Sequence, residues 1–187
     1  MTPLALLRHA DTAWGMEGRI QGRADVPLLA EAPIALPAAC RGMRVITSPL
    51  ARCVGTAELL GVGDAAREPR LIEMDWGDWE GQTLKTLRGA FGNIMAENEA
   101  RGLDFTPPRG ESPRAVLSRI KPWLRDLARE RVPTLAVTHR GVIRAILAEA
   151  SGWDMRGRPP AKLDWRAFHF FLVDDDGKPS VERLNVR

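Results

Sequence analysis

LALLRHADTAW, residues Leu4–Trp14, decides how the chain is read. Four aliphatic residues run without interruption, as in a strand covered on both faces, and stop at an arginine and a histidine. A small residue, an acid and a hydroxyl follow at once. Strands buried on both faces belong to parallel sheets between layers of helices. The cation and the imidazole then stand at the carboxyl end of such a strand, where open α/β sheets collect their ligands.

Outward from that stretch, strand and helix patterns alternate. Met43–Thr47 (MRVIT) predicts a second strand, and Ser48-Pro49 an N-cap with proline at the first helical position of a helix reaching about Leu60. Ala66–Leu71 reads as a short strand and Leu84–Glu99 as a helix, followed by the Pro/Gly-rich loop DFTPPRGES. Ser112-Pro113 opens an amphipathic helix with Val116, Leu117, Ile120, Trp123, Leu124 and Leu127 on one side. Thr134–Val137 predicts a strand, Gly141–Ala150 a helix, and Phe168–Val173 with Ser180–Val186 a hairpin across DDDGKP. This alternation predicts an α/β fold, a three-layer sandwich with a mostly parallel central sheet and helices on both faces.

The 187 residues fit one domain, 1–187, with 44% hydrophobic and 27% charged residues and no apolar run able to span a bilayer. Met1-Thr2-Pro3 leads into a strand with no basic n-region and no cleavage pattern, so a cytoplasmic protein is expected. The net charge of +3 comes from scattered arginines, which excludes the concentrated basic stripe of a nucleic-acid binder. A few arginines aimed into one pocket suffice for a small anion. Cys40 and Cys53 lack metal-type spacing and read as reduced, partly buried small residues. A homodimer is left open.

Three strand ends bring polar groups to one rim: Arg8-His9, Ser48 to Arg52, and His139 after VT. Of the three histidines, His169 lies in AFHFF inside an apolar strand and reads as structural, whereas His9 and His139 stand at strand ends. A phosphate monoester needs cations and donors on its oxygens throughout transfer, and the planar forks of Arg8 and Arg52 supply them. Arg52 also falls in the first turn of a helix, near amides that favour anions. Adjacent arginines lower a histidine pKa and keep the imidazole neutral, the state in which it can attack phosphorus. The leaving alkoxide needs a proton. RLIEMDWGDWEG offers Glu73, Asp75, Asp78 and Glu80; Glu73, after Leu71-Ile72 at another strand end, is the best placed, and its rivals stay open. Trp76 and Trp79 read first as packing residues against the sheet.

Arg8-His9-Ala10-Asp11-Thr12, Gly18-Arg19-Ile20-Gln21-Gly22, Asp25 and Pro27-Leu28 resemble the opening of the histidine phosphatase (phosphoglycerate mutase-like) superfamily. SPLARCVGTAELL is similar to its S-P-L-x-R-x-x-x-T-A helix, LIEMDWGDWEG to its L-x-E-x-x-x-G-x-W-E-G, and VTHRG to its S/T-H-G-G, in the family's order. The resemblance implies a phosphatase that forms a covalent phosphohistidine on His9, with Arg8, Arg52, His139 and Gln21 around the phosphate. It implies Glu73 as proton donor, no metal or organic cofactor, a small phosphorylated metabolite as substrate, and a helical cap over about 74–130 that selects it.

Some positions depart from the family pattern: Ala10 for glycine, Asp11 for glutamate, Gly15 for a phosphate-binding asparagine, and Arg140 for the first glycine after His139. Arg140 reads as either a cation at the pocket mouth or a solvent residue, with solvent preferred. After Leu28, LAEAPIALPAACRG loses the family's L-T-x-x-G. The mutases' Glu-Arg is Glu73-Met74 here and their lysine aligns near Leu84, beside Lys85, which favours hydrolysis over phosphoryl exchange. A phosphoglycerate mutase and a non-catalytic binder of phosphorylated ligands are the alternatives.

Overall fold

The computed structural model describes residues 1–29 and 33–187. Its centre is a six-stranded sheet in the order β3-β2-β4-β1-β5-β6, built from β1 (Thr2–Arg8), β2 (Arg44–Thr47), β3 (Ala66–Arg67), β4 (Thr134–Thr138), β5 (Phe168–Val173) and β6 (Pro179–Val186). β3, β2, β4 and β1 pair in parallel, and β5 and β6 add an antiparallel edge. The mostly parallel sheet is as the alternation predicts.

Successive side chains of a strand point to opposite faces, so a strand apolar throughout must be covered twice. Leu4 and Leu6 of β1, Ala136 of β4, and Phe171 and Val173 of β5 enter one core cluster. Ala5, Leu7, Leu135, Phe168 and Phe170 from the same strands enter another. The first cluster is closed by α4 (Pro113–Glu130) and α5 (Arg140–Ser151), which pack on each other. On the second side, Cys53 and Ala57 of α2 (Ala51–Leu59) pack on Val137. The remaining helices are the single turn α1 (Ala13–Met16) and α3 (Leu84–Glu99). Ser112 caps α4 by accepting from the Ala115 amide at 3.2 Å, as expected. DDDGKP closes the β5–β6 hairpin, with Asp174 N–H donating to the Lys178 carbonyl at 3.0 Å.

Two expectations need correction. Ser48-Pro49 does not start α2: Pro49 and Leu50 stay outside the helix, and Leu50 is the N-cap, extended at φ −69° and ψ 140°. The first amide, Ala51 N–H, is capped from a distance by Asp25 Oδ1 at 2.8 Å, so that donor is not free for another anion. Ala66–Leu71 is not one strand either. Pairing stops near Pro69, which has no N–H to give, and Pro69–Leu71 is a 3-10 turn. Glu73 therefore follows a 3-10 turn rather than a strand end.

Within LAEAPIALPAACRG, residues 30–32 lie outside the described residues; further on, Ala38–Cys40 is a 3-10 turn. Cys40 and Cys53 are both buried free thiols. Among the described residues no helix is long and apolar enough to cross a membrane.

Candidate active site

The parallel pairing of β1 with β4 sets Arg8 opposite Thr138, so the next residues, His9 and His139, emerge side by side. His9 N–H donates to the Thr138 carbonyl at 2.9 Å, and the two rings have centroids 5.3 Å apart. β2 flanks β4 on its other side, which sets Ser48 beside His139, with Oγ to Nε2 at 2.7 Å. Cys53 Sγ lies 3.4 Å from the same nitrogen.

His9 is 3% exposed and lines a cavity of about 620 Å³. Its Nδ1 lies 2.7 Å from the Ala10 carbonyl oxygen, which can only accept, so Nδ1 carries the proton. Burial, then the charges of Arg8 and Arg52, hold the imidazole well below the ordinary histidine value. A neutral ring with its proton on Nδ1 keeps a lone pair on Nε2, the form a nucleophile requires.

Arg8, Arg52, Gln21 and Glu73 line the same cavity. Arg8 has Asp11 as its acid partner at 3.7 Å. Arg52 is fully buried and gripped by two backbone carbonyls, Gly22 O at 2.7 Å and Ala24 O at 2.8 Å, while its Nε has no partner among the described residues. Burial lowers both guanidinium pKa values. Gln21 Oε1 is likewise buried without a partner. Gly15 adjoins this group: a β-carbon there would sit 3.3 Å from Gln21 Nε2 and 3.4 Å from the Arg8 guanidinium. A longer side chain at position 15 would therefore reach into the same cluster, and glycine leaves that room unfilled.

Glu73 is buried and accepts from Met74 N–H at 2.8 Å and Gly141 N–H at 3.2 Å. Burial pushes its carboxyl above the usual range, against the pull of those two amides. The rivals take structural partners instead: Asp75 accepts from Gly77 N–H, Asp78 pairs with Arg109, and Glu80 receives Arg23 N–H at 2.7 Å and Ala24 N–H at 3.0 Å. None of the three lines the cavity.

His139 stands beside His9 but is fully buried and absent from the cavity wall. Burial, then the Arg52 charge, keeps its imidazole well below the ordinary value. His169 stays in β5, away from the cavity, where Nδ1 accepts from Asn185 N–H at 3.3 Å. Arg140 corrects the preference for solvent: exposed as it is, it lines the cavity and stacks on Trp165. Trp76 and Trp79 pack on Phe105, with centroids at 5.5 and 5.8 Å, and Trp76 also faces the cavity.

Two contributors lie outside the motifs quoted above. Arg119 of α4 donates to the carbonyls of Ile72 (2.7 Å) and Glu73 (3.2 Å), fixing the segment that bears the carboxyl. Arg144 lines the cavity one turn beyond Arg140; its charge in an otherwise apolar helix face, four residues after Arg140, is the cue that would have found it. Among the described residues no three His, Cys, Asp or Glu side chains are grouped to hold a metal ion.

Residues 4–187 match the profile of the histidine phosphatase superfamily (branch 1). A probable phosphoglycerate mutase of Cronobacter sakazakii is 34% identical over 129 residues, which is 64% of this chain and 60% of that protein. Glucosyl-3-phosphoglycerate phosphatase of Mycolicibacterium vanbaalenii is 30% identical over 80% of this chain and 74% of that protein. The structure of YhfR from Bacillus stearothermophilus superposes with a TM-score of 0.79 at 25% identity, covering 100% of this chain and 98% of that one. Family profile, relatives and fold agree: this chain belongs to the histidine phosphatase superfamily, and its relatives include both phosphatases and phosphoglycerate mutases.

Proposed function

We propose that the chain is a phosphomonoester hydrolase that works through a covalent phosphohistidine on His9 and takes a small phosphorylated metabolite as substrate. The state of the His9 ring carries this reading: Nδ1 is committed to the Ala10 carbonyl at 2.7 Å, and the ring is held neutral on a cavity wall shared with Arg8, Arg52 and Glu73. Nε2 attacks phosphorus, the N–P bond forms as the ester P–O bond breaks, and the leaving oxygen takes the proton of the Glu73 carboxyl. Water then attacks phosphorus and gives a proton to the Glu73 carboxylate. The N–P bond breaks, inorganic phosphate departs, and His9 and Glu73 are back in their starting states.

The transferred group carries negative charge on its equatorial oxygens throughout, and Arg8, Arg52 and Gln21 are the proposed donors to it. The unpartnered Arg52 Nε supports this, because a buried donor without an acceptor is costly until an anion arrives. His139 joins them when the phosphoryl group competes with Ser48 for its Nε2. The segment 74–130 chooses the leaving group, supported by an apolar wall of Met74, Trp76, Leu84 and Phe105 on the cavity. Leu84 on that wall, with Lys85 exposed outside it, supports hydrolysis over exchange.

The test is turnover of p-nitrophenyl phosphate without added metal, together with rapid-quench labelling. We expect turnover and a base-stable, acid-labile phosphoryl label that disappears in His9→Ala. No turnover anywhere between about pH 5 and 8 rejects the hydrolase, and label on an aspartate or serine rejects His9 as carrier. Net isomerisation of 3-phosphoglycerate primed with its bisphosphate, faster than hydrolysis, identifies a mutase.

A further inference from the structure

The cavity has a second cationic wall. Arg140 and Arg144 line it four residues apart on α5, about 6 Å along the helix axis. Arg140 has its guanidinium carbon 4.6 Å from the ring centre of Trp165, and Arg144 has its own 5.1 Å from that of Trp153. A guanidinium held over a ring by cation–π attraction still has N–H groups unspent.

The other arginines on the cavity wall are engaged. Arg88 pairs with Glu99 at 2.6 Å, Arg19 with Glu17 at 2.6 Å and Arg8 with Asp11 at 3.7 Å, while Arg52 holds its two carbonyls. Among the described residues, neither Arg140 nor Arg144 has a carboxylate in ion-pair contact or a hydrogen-bond acceptor. Burial lowers the pKa of both, and the charges of Arg8 and Arg144 press further on Arg140, with Glu73 opposing them. Partly enclosed cations with no acid in contact are unfavourable, and a bound anion relieves them.

We propose that Arg140 and Arg144 form a second anion subsite, and that the substrate carries a further carboxylate or phosphate on its leaving group. The inference rests on the hydrolase reading and narrows its substrate class to phosphorylated acids and bisphosphates. His9 would take the phosphoryl group, while the guanidiniums on α5 receive the second anion through their N–H donors.

Matched substrates test it. 3-Phosphoglycerate and glycerol 3-phosphate differ only in a carboxylate against a hydroxymethyl group, and propane-1,3-diol bisphosphate against propyl phosphate makes the corresponding phosphate pair. We expect kcat/KM to favour the doubly anionic member of at least one pair by about ten- to a hundredfold, as suits a charge-assisted contact. The pair that shows the preference identifies the group. Arg144→Met, which keeps the apolar stem, and Arg140→Met, at an exposed position, should each cut that ratio severalfold.

Equal kcat/KM within both pairs, or a ratio that survives both substitutions, overturns the subsite. Calorimetric binding of the same compounds to His9→Ala separates this from the chemistry. A charge preference there that needs Arg144, with no turnover by the wild type, upholds the subsite and rejects the hydrolase. Turnover by the wild type without any charge preference in binding does the reverse.

Discussion

Imidazoles attack phosphorus only when neutral, and His9 is kept neutral by where it sits rather than by anything in its own structure. Its Nδ1 proton is held by the neighbouring carbonyl, and burial among arginines makes a second proton costly. Glu73 is tuned the opposite way by the same physics: burial favours its uncharged form, which is the proton-bearing form an acid catalyst needs. In the proposed mechanism the lowered pKa of His9 and the raised pKa of Glu73 suit the one to nucleophile and the other to acid. We expect Glu73→Gln to slow hydrolysis of alkyl phosphates by about 10²- to 10⁴-fold. Nitrophenol leaves without much help, so p-nitrophenyl phosphate should be slowed far less. Equal slowing of both substrates would move the acid role to another residue.

At the scale of elements, junctions matter more than lengths. The first turn of α5, directly after β4, contains Gly141, whose amide donates to Glu73. A β-carbon at Gly141 would lie 2.3 Å from Glu73 Oε1 and 3.2 Å from Met74 Cβ, so only glycine lets the carboxyl approach the helix start. We expect Gly141→Ala to fold, to displace the Glu73 carboxyl and to reproduce the leaving-group dependence of Glu73→Gln in weaker form. Steady-state kinetics with the same two substrate types reads this directly; an unchanged ratio between them would refute it. The loop of residues 22–24 is a second such junction. Its amides are held by Glu80, and its carbonyls in turn hold Arg52. α3 shows a different device, a break at Gly92 with φ 46° and ψ −119°, on either side of which Leu87 and Met95 are still buried.

For the whole molecule, burying two neutral imidazoles ties stability to pH. The folded pKa values of His9 and His139 are depressed, so their contribution is fully present above the ordinary histidine value near 6.5 and is lost as pH falls below it toward the folded values. Glu73 has the reverse sign: its folded pKa is raised, so its contribution is present at low pH and is lost as pH rises through that value. We expect the urea midpoint of His139→Gln to fall less than that of the wild type between about pH 7 and pH 5, because one depressed group has been removed. Parallel falls for the two proteins would contradict the buried neutral state of His139.

Local pattern was enough for much of this protein. The unbroken aliphatic run of Leu4 to Leu7 called for cover on two faces, and the strands divide their side chains between two clusters as that requires. Ser112-Pro113 opened its helix where expected, because side-chain capping depends on residues within one turn. Ser48-Pro49 carried the same local signal and failed, because Asp25 caps α2 from far along the chain and Ser48 turns to His139. The residue types were likewise legible: strand-end histidines and arginines marked the positions that the fold gathers beside one cavity. Tertiary structure alone decided their meeting. His9 and His139 touch because β1 and β4, 130 residues apart, are neighbours in register, and Glu73 joins them through a carbonyl clamp from Arg119. Strand order, remote caps and the stacking of Arg140 and Arg144 on tryptophans join segments distant along the chain, and local propensity holds no record of such pairings.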